Sequence, residues 1–187
     1  RKMMVYLLLF LALCLFSLVS ARLAPHDAEL VDLLAAKHPP DAEYPMGTDG
    51  LGRCILSRIL AGAYSSIFAS LLIVVLSMFI GCTIGMVSGY AGGIADEILM
   101  RVVDIFLAFP GIVLSITVTG MLGPGLKNGI FALAATGWTQ YARLTRSYVL
   151  SIRQENYVKA AFLNGQSSVS ILLRHVFPNA IRPVVVT

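Results

Sequence analysis

Runs of uncharged residues long enough to cross a lipid bilayer constrain this chain more than any other feature. Met3 to Ala21 is 19 positions without a charge, about 28 Å of helix at 1.5 Å per residue. The hydrocarbon core of a bilayer is about 30 Å thick. A second run extends from Ile59 to Ala95, and its span is placed near Ser65 to Gly89. A third covers Ile105 to Leu126. The fourth, Asn128 to Ala142, is only 15 residues and reaches spanning length if Arg143 and Arg146 snorkel to the headgroups. A fifth apolar segment opens near Asn179 and continues to Thr187. The expectation is an all-α, polytopic transmembrane bundle with four spans and the start of a fifth.

Composition excludes the main alternatives. The chain is 57% hydrophobic and 13% charged, with a mean hydropathy of +0.81. Soluble domains carry roughly 45–50% apolar and about 25% charged residues, so a soluble enzyme or a nucleic-acid-binding domain is not expected. The net charge of +4 is better read as topology, because cytoplasmic loops carry an excess of Lys and Arg. With the N-terminus inside, nine of the 14 basic residues are cytoplasmic (Arg1, Lys2, Arg101, Arg143, Arg146, Arg153, Lys159, Arg174, Arg182). Six of the ten acids (Asp27, Glu29, Asp32, Asp41, Glu43, Asp49) fall in the outer segment. The expected organisation is a first helix over 1–21, an extracytoplasmic segment over 22–63 and a transmembrane domain over 64–187 with a cytoplasmic loop at 151–175. The first run also fits a cleaved signal peptide, with Arg1-Lys2 as basic region and Val19-Ser20-Ala21 as cleavage site. Residues beyond Ala21 lie outside the membrane on either reading.

Gly81, Gly85 and Gly89 recur every fourth residue and put bare backbone on one helix face, where another helix can approach. Asp104 follows Arg101 by three residues, so the two share a face and are expected to pair. Pro110 and the glycines from Gly120 to Gly125 break or end the third span. That glycine-rich stretch is not a phosphate loop, since Leu126 separates Gly125 from Lys127 and Asn128 has no hydroxyl. No catalytic residue and no metal site are expected. Cys14, Cys54 and Cys82 form no ligand spacing, and His26 and His38 read as solvated loop residues.

The segment Arg143 to Pro178 is long and basic. Tyr157 to Leu163 predicts a short helix stopped by Asn164-Gly165, and Ser167 or Ser168 predicts the cap of a second. That second helix would carry Val169, Ile171, Leu172 and Leu173 towards the membrane. The pair Ala160-Ala161 would admit another protein's backbone, with Tyr157 and Phe162 as apolar anchors.

Lys159 to Gly165, followed by Ile171 to Asn179, resembles the Glu-Ala-Ala loop of bacterial ABC importer permeases. Gly47-Thr-Asp-Gly-Leu-Gly-Arg-Cys-Ile-Leu-Ser-Arg58 resembles the outer motif of the dipeptide/oligopeptide/nickel branch. Met100 to Pro110 and Tyr141 to Ser147 are similar to further signatures of that branch, and the chain looks like the second of its two permease subunits. Lys159 stands where the family usually has Glu, and Cys54 where it usually has Asp. Family members continue past the point where this sequence stops, which implies about five spans of an expected six and a fragment or truncated product.

The resemblance implies a multi-pass subunit of the bacterial inner membrane that pairs with a second, homologous permease. Two ATP-binding subunits would use ATP and magnesium, with no cofactor held by this chain, and an extracytoplasmic substrate-binding protein would deliver cargo. Tyr157, Lys159, Ala160, Ala161, Phe162 and Gly165 would couple to the ATPases. Gly47, Thr48, Asp49, Gly52 and Arg53 would form the outer motif. An ion-driven carrier and a non-transporting membrane fragment remain alternatives, and the motifs do not separate peptide from nickel.

Overall fold

A helix satisfies the interior backbone groups within its own segment, and helices cover the uncharged runs and extend beyond them into charged sequence. The computed structural model describes residues 2–20 and 22–186. Arg1 of the basic N-terminal region, Ala21 at the end of the first expected span and its cleavage site, and Thr187 at the end of the fifth lie outside the described residues. The described residues are helical apart from loops and one isolated antiparallel bridge between Thr48 and Cys54. The chain divides into two compact units, residues 1–71 and 72–187.

The first unit contains α1 (Lys2–Ser20), a 3-10 turn (Leu33–Ala35) and the start of α2 (Ile55–Ala91). Ser20 Oγ donates to the Leu60 carbonyl at 2.8 Å, fixing the end of α1 to the first turns of α2. The segment between α1 and α2 is folded by its own acids. Asp27, Asp32 and Asp41 each accept from a backbone N–H two residues on, at 2.9–3.0 Å, the local turn chemistry of short carboxylates. His26 is not the solvated residue expected: its ring stacks on Tyr44 with centroids 4.8 Å apart.

The second unit continues α2 and adds α3 (Gly93–Leu107), α4 (Gly111–Leu122), α5 (Leu126–Arg153), α6 (Asn156–Leu163), α7 (Ser168–Ile171), a π-helical turn (Leu172–Val176) and α8 (Phe177–Val186). Among the described helices α2 alone is long and apolar enough to cross a bilayer unbroken. The third expected span, Ile105 to Leu126, is not one straight helix. α3 begins well before it, and α3 and α4 meet at 84°. Pro110 offers no N–H to continue the ladder and disfavours helical geometry at Phe109. The fourth expected span, Asn128 to Ala142, lies within a longer helix, as α5 runs for 28 residues, and α5 is not apolar enough to count as a membrane span. Val103, Trp138 and Ala142 form one core where α3 meets α5, and Val149, Val158, Ala161, Ile171, Val176 and Ala180 form another under α6.

Candidate functional site

The loop after α5 is a built structure. Glu155 leads into α6, and the helix ends in a paired-bond C-terminal motif. Gly165 N–H donates to the Phe162 carbonyl at 3.0 Å and Gln166 N–H to the Ala161 carbonyl at 3.2 Å. These satisfy carbonyls that the helix end would otherwise leave bare. Gly165 adopts φ +77°, the left-handed geometry glycine tolerates best. Ser167 is the cap of α7, its hydroxyl accepting from Ser170 N–H at 3.3 Å.

α6 has two faces. Val158 and Ala161 are 5% and 6% exposed and pack on Val149, Ile171 and Val176. Lys159 and Ala160 point outward, with Phe162 66% and Leu163 85% exposed. The alanine pair is therefore not a single surface for a partner: Ala160 is open and Ala161 is taken up inside this chain. Tyr157 is half-held rather than a free anchor, its hydroxyl accepting from Asn179 Nδ2 at 3.3 Å. In the second short helix and the turn after it, Val169 and Leu173 are exposed, Ile171 is fully buried and Leu172 partly. Beside α6, a cavity of about 830 Å³ is lined by Tyr90, Arg153, Lys159, Phe162, Leu163 and Ile171. The Arg153 guanidinium stands 5.9 Å over the Tyr90 ring.

The outer motif is held together by one carboxylate. Asp49 Oδ1 accepts from the N–H of Leu51 at 2.9 Å and of Arg53 at 3.0 Å. Its Oδ2 receives Arg53 Nε at 2.8 Å and Arg58 Nη1 at 3.0 Å. Gly52, at φ +75°, lies so close to the Asp32 carbonyl that a Cβ would fall 1.6 Å from its oxygen. A Cβ at Gly47 would meet the His38 oxygen at 2.5 Å. Thr48 accepts from His38 N–H at 2.8 Å and donates to the Ala35 carbonyl. Cys54 is buried and bridges back to Thr48. All five motif residues are brought together, and their bonds close the loop on itself.

Partial burial pushes the Asp49 carboxyl up, but the Arg53 side chain and the two backbone N–H donors outweigh this and hold it at about 2, against an ordinary 3.8. A depressed carboxylate contributes stability that is complete above its unfolded value and lost as pH falls through its folded one. Local unfolding of the outer segment, followed by protease cleavage near Arg53, is therefore expected to rise between about pH 4 and pH 2. In Asp49→Asn that window should flatten, with the segment already opened at neutral pH. A wild-type acid profile in the variant would contradict the hub role.

Gly81, Gly85 and Gly89 sit against α5. A Cβ on Gly81 would lie 2.3 Å from the Trp138 oxygen, on Gly85 2.4 Å from the Ala142 oxygen, and on Gly89 2.9 Å from Val149 Cβ. The expected Arg101–Asp104 pair is replaced. Asp104 takes Arg143 Nη2 at 2.6 Å from α5, because the tertiary neighbour can aim its guanidinium where the helical one cannot. Nor do Arg143 and Arg146 simply reach for headgroups. Arg146 donates to both oxygens of Asp96 at 2.6 Å, and the Ser88 hydroxyl donates to the same carboxylate. The sequence reading missed this last cluster; Asp96 in the first turn of α3 was its one visible signal.

α6 is a short helix with one bare face, and the helices that carry it pack through a glycine stripe. Residues 81–187, more than half of the chain, match the binding-protein-dependent transport system inner membrane component family, and the chain belongs to it. It is 40% identical to a probable D,D-dipeptide transport system permease protein of Escherichia coli (strain K12), over 92% of this chain and 58% of that protein. A dipeptide transport system permease protein of Haemophilus influenzae is 34% identical over all of this chain and 65% of its own length. A nickel transport system permease protein of Escherichia coli (strain K12) is 38% identical over 91% of this chain and 61% of its own. The chain thus spans about three fifths of the length of these curated relatives.

Proposed function

We propose that this chain belongs to the multi-pass permease subunit of an ATP-binding-cassette importer that admits peptides, or nickel or a nickel chelate, to the cytoplasm. Dipeptide and nickel permeases among its relatives support that substrate range. The N-terminus lies inside, as the distribution of basic residues favours, and the spans number four with the start of a fifth. A homologous permease completes the pathway. Two ATPase subunits dock from the cytoplasm, where they bind ATP and magnesium, and a substrate-binding protein approaches the outer segment. The subunit itself catalyses nothing.

The observation that carries this reading is the division of α6. Its inner face is locked to α5 through Val158 and Ala161, while Ala160, Phe162 and Leu163 stand bare. A helix anchored on one side and open on the other receives a push from a partner and passes it to the bundle. Closure of the ATPase pair would displace α6 and α5 together and alternate access between the two sides.

Gly165→Asp in the complete transporter tests the docking. A Cβ there meets nothing within 4 Å, so the cost within the chain is the left-handed backbone alone, about 1–2 kcal/mol. The expected result is normal membrane insertion with uptake lowered about tenfold or more, the equivalent of ~1.4 kcal/mol of lost docking. Undiminished uptake and undiminished substrate-stimulated ATP turnover would remove the docking reading.

A further inference from the structure

Asp96 has an unusual environment for an acid in so apolar a chain. Its side chain is 15% exposed and both its oxygens are engaged by the Arg146 guanidinium, Nε on Oδ1 and Nη2 on Oδ2. The Ser88 hydroxyl adds a third donor, and Ser88 is fully buried. Such fork-on-fork pairs are directional as well as strong. Here the pair unites three helices: Ser88 lies in the last turn of α2, Asp96 in the first turn of α3, and Arg146 two turns before the end of α5.

Its position suggests a use. Val149, one turn beyond Arg146, is fully buried in the core that holds Val158 and Ala161 of α6. On the other side, the Gly89 backbone rests against the Arg146 carbonyl and Val149. α3 then ends at the break before Pro110, so a displacement of α3 need not be copied by α4. The Asp104–Arg143 pair links the same two helices but is more than half exposed on both sides, and exposed pairs hold little.

We propose that Asp96, Arg146 and Ser88 are positioning residues that make the inner ends of α2, α3 and α5 move as one body with α6, so that ATP hydrolysis by a partner is converted into movement of the bundle. The inference rests on the import reading above and names the part of the chain that carries the force.

The test measures uptake and ATP turnover together in the complete transporter reconstituted in liposomes. Arg146→Gln and Asp96→Asn are expected to keep turning over ATP while uptake per ATP falls about two- to thirty-fold, the range by which residues along a coupled network alter coupling. Combining Asp96→Arg with Arg146→Asp should recover part of that ratio. Ser88→Ala, which leaves the ion pair in place, should lower it by about threefold and serves where the charge variants fail to assemble. An unchanged ratio in Ser88→Ala and in whichever charge variants assemble would overturn the proposal, as would uptake and ATP turnover falling in parallel with the amount of assembled complex. Absence of ATP-dependent uptake by the unmodified transporter would instead overturn the import reading itself.

Discussion

Gly85→Leu is expected to separate α2 from α5 and to leave the second unit without a stable native packing. A Cβ alone at this position would lie 2.4 Å from the Ala142 carbonyl oxygen, 2.8 Å from Thr145 Cβ and 3.0 Å from the Arg146 nitrogen. Two of these three atoms are backbone, and a helix backbone cannot step aside without moving the whole helix. Overpacking of a tight interface costs about 1–3 kcal/mol even where side chains can adjust, so a leucine here is expected to cost about 3 kcal/mol or more. Gly81→Leu should behave alike, since its Cβ would meet the Trp138 oxygen at 2.3 Å. Gly89→Ala should be milder, because its nearest obstacles at 2.9 Å are the Val149 side chain rather than backbone. Gly62→Ala is the control: nothing lies within 4 Å of its Cβ, and alanine in place of an exposed helical glycine gains up to about 1 kcal/mol. Thermal unfolding of the detergent-purified chain reads all four. Equal stability of Gly85→Leu and Gly62→Ala would show that α2 and α5 are not packed through this stripe.

The glycine stripe shows what this sequence reveals and where it falls silent. A four-residue period of glycines is visible to any reader, because a helix repeats every 3.6 residues. That α5 fills the stripe is not visible, since nothing in the spacing of Gly81, Gly85 and Gly89 specifies a partner. Charges show the same boundary more sharply. Helical spacing pairs Arg101 with Asp104, yet Asp104 takes Arg143, 39 residues away, and Asp96 takes Arg146, 50 residues away. Propensity rules see neighbours along one helix; they do not see a guanidinium delivered by another. Pro110 was legible as a break, but absence of charge from Ile105 to Leu126 suggested one span where α3 and α4 turn through 84°. The outer motif was legible as a motif. Its mechanics were not, because the role of Asp49 depends on turns that bring two backbone donors and two arginines onto one carboxylate. The short helix and its glycine stop at Gly165 were legible almost to the residue, since capping chemistry is local.

The alanine pair in that helix separates stability from docking, and a matched pair of substitutions should do the same. Consecutive helical residues point about 100° apart, so one of Ala160 and Ala161 can face the bundle while the other faces outward. Ala161 is the inward one, packed in the core with Val149, Ile171 and Val176. Ala161→Trp must push α6 off α5, and a cost at the upper end of the ~1–3 kcal/mol overpacking range is expected. Ala160 faces solvent, and Ala160→Trp should change stability by no more than about 0.5 kcal/mol. For association with an ATPase the order reverses in what it reports. Ala160→Trp should leave a normally folded chain that recovers about tenfold less ATPase on co-purification, equivalent to ~1.4 kcal/mol, because the ring blocks the slim surface between Lys159 and Leu163. Ala161→Trp should lose the ATPase only in step with its lost stability. A folded Ala160→Trp chain that retains its ATPase would show that the bare face of α6 is not the contact. An Ala161→Trp chain as stable as the unmodified one would show that α6 is not anchored by this residue, and the proposed transmission of force through α5 would then need another attachment.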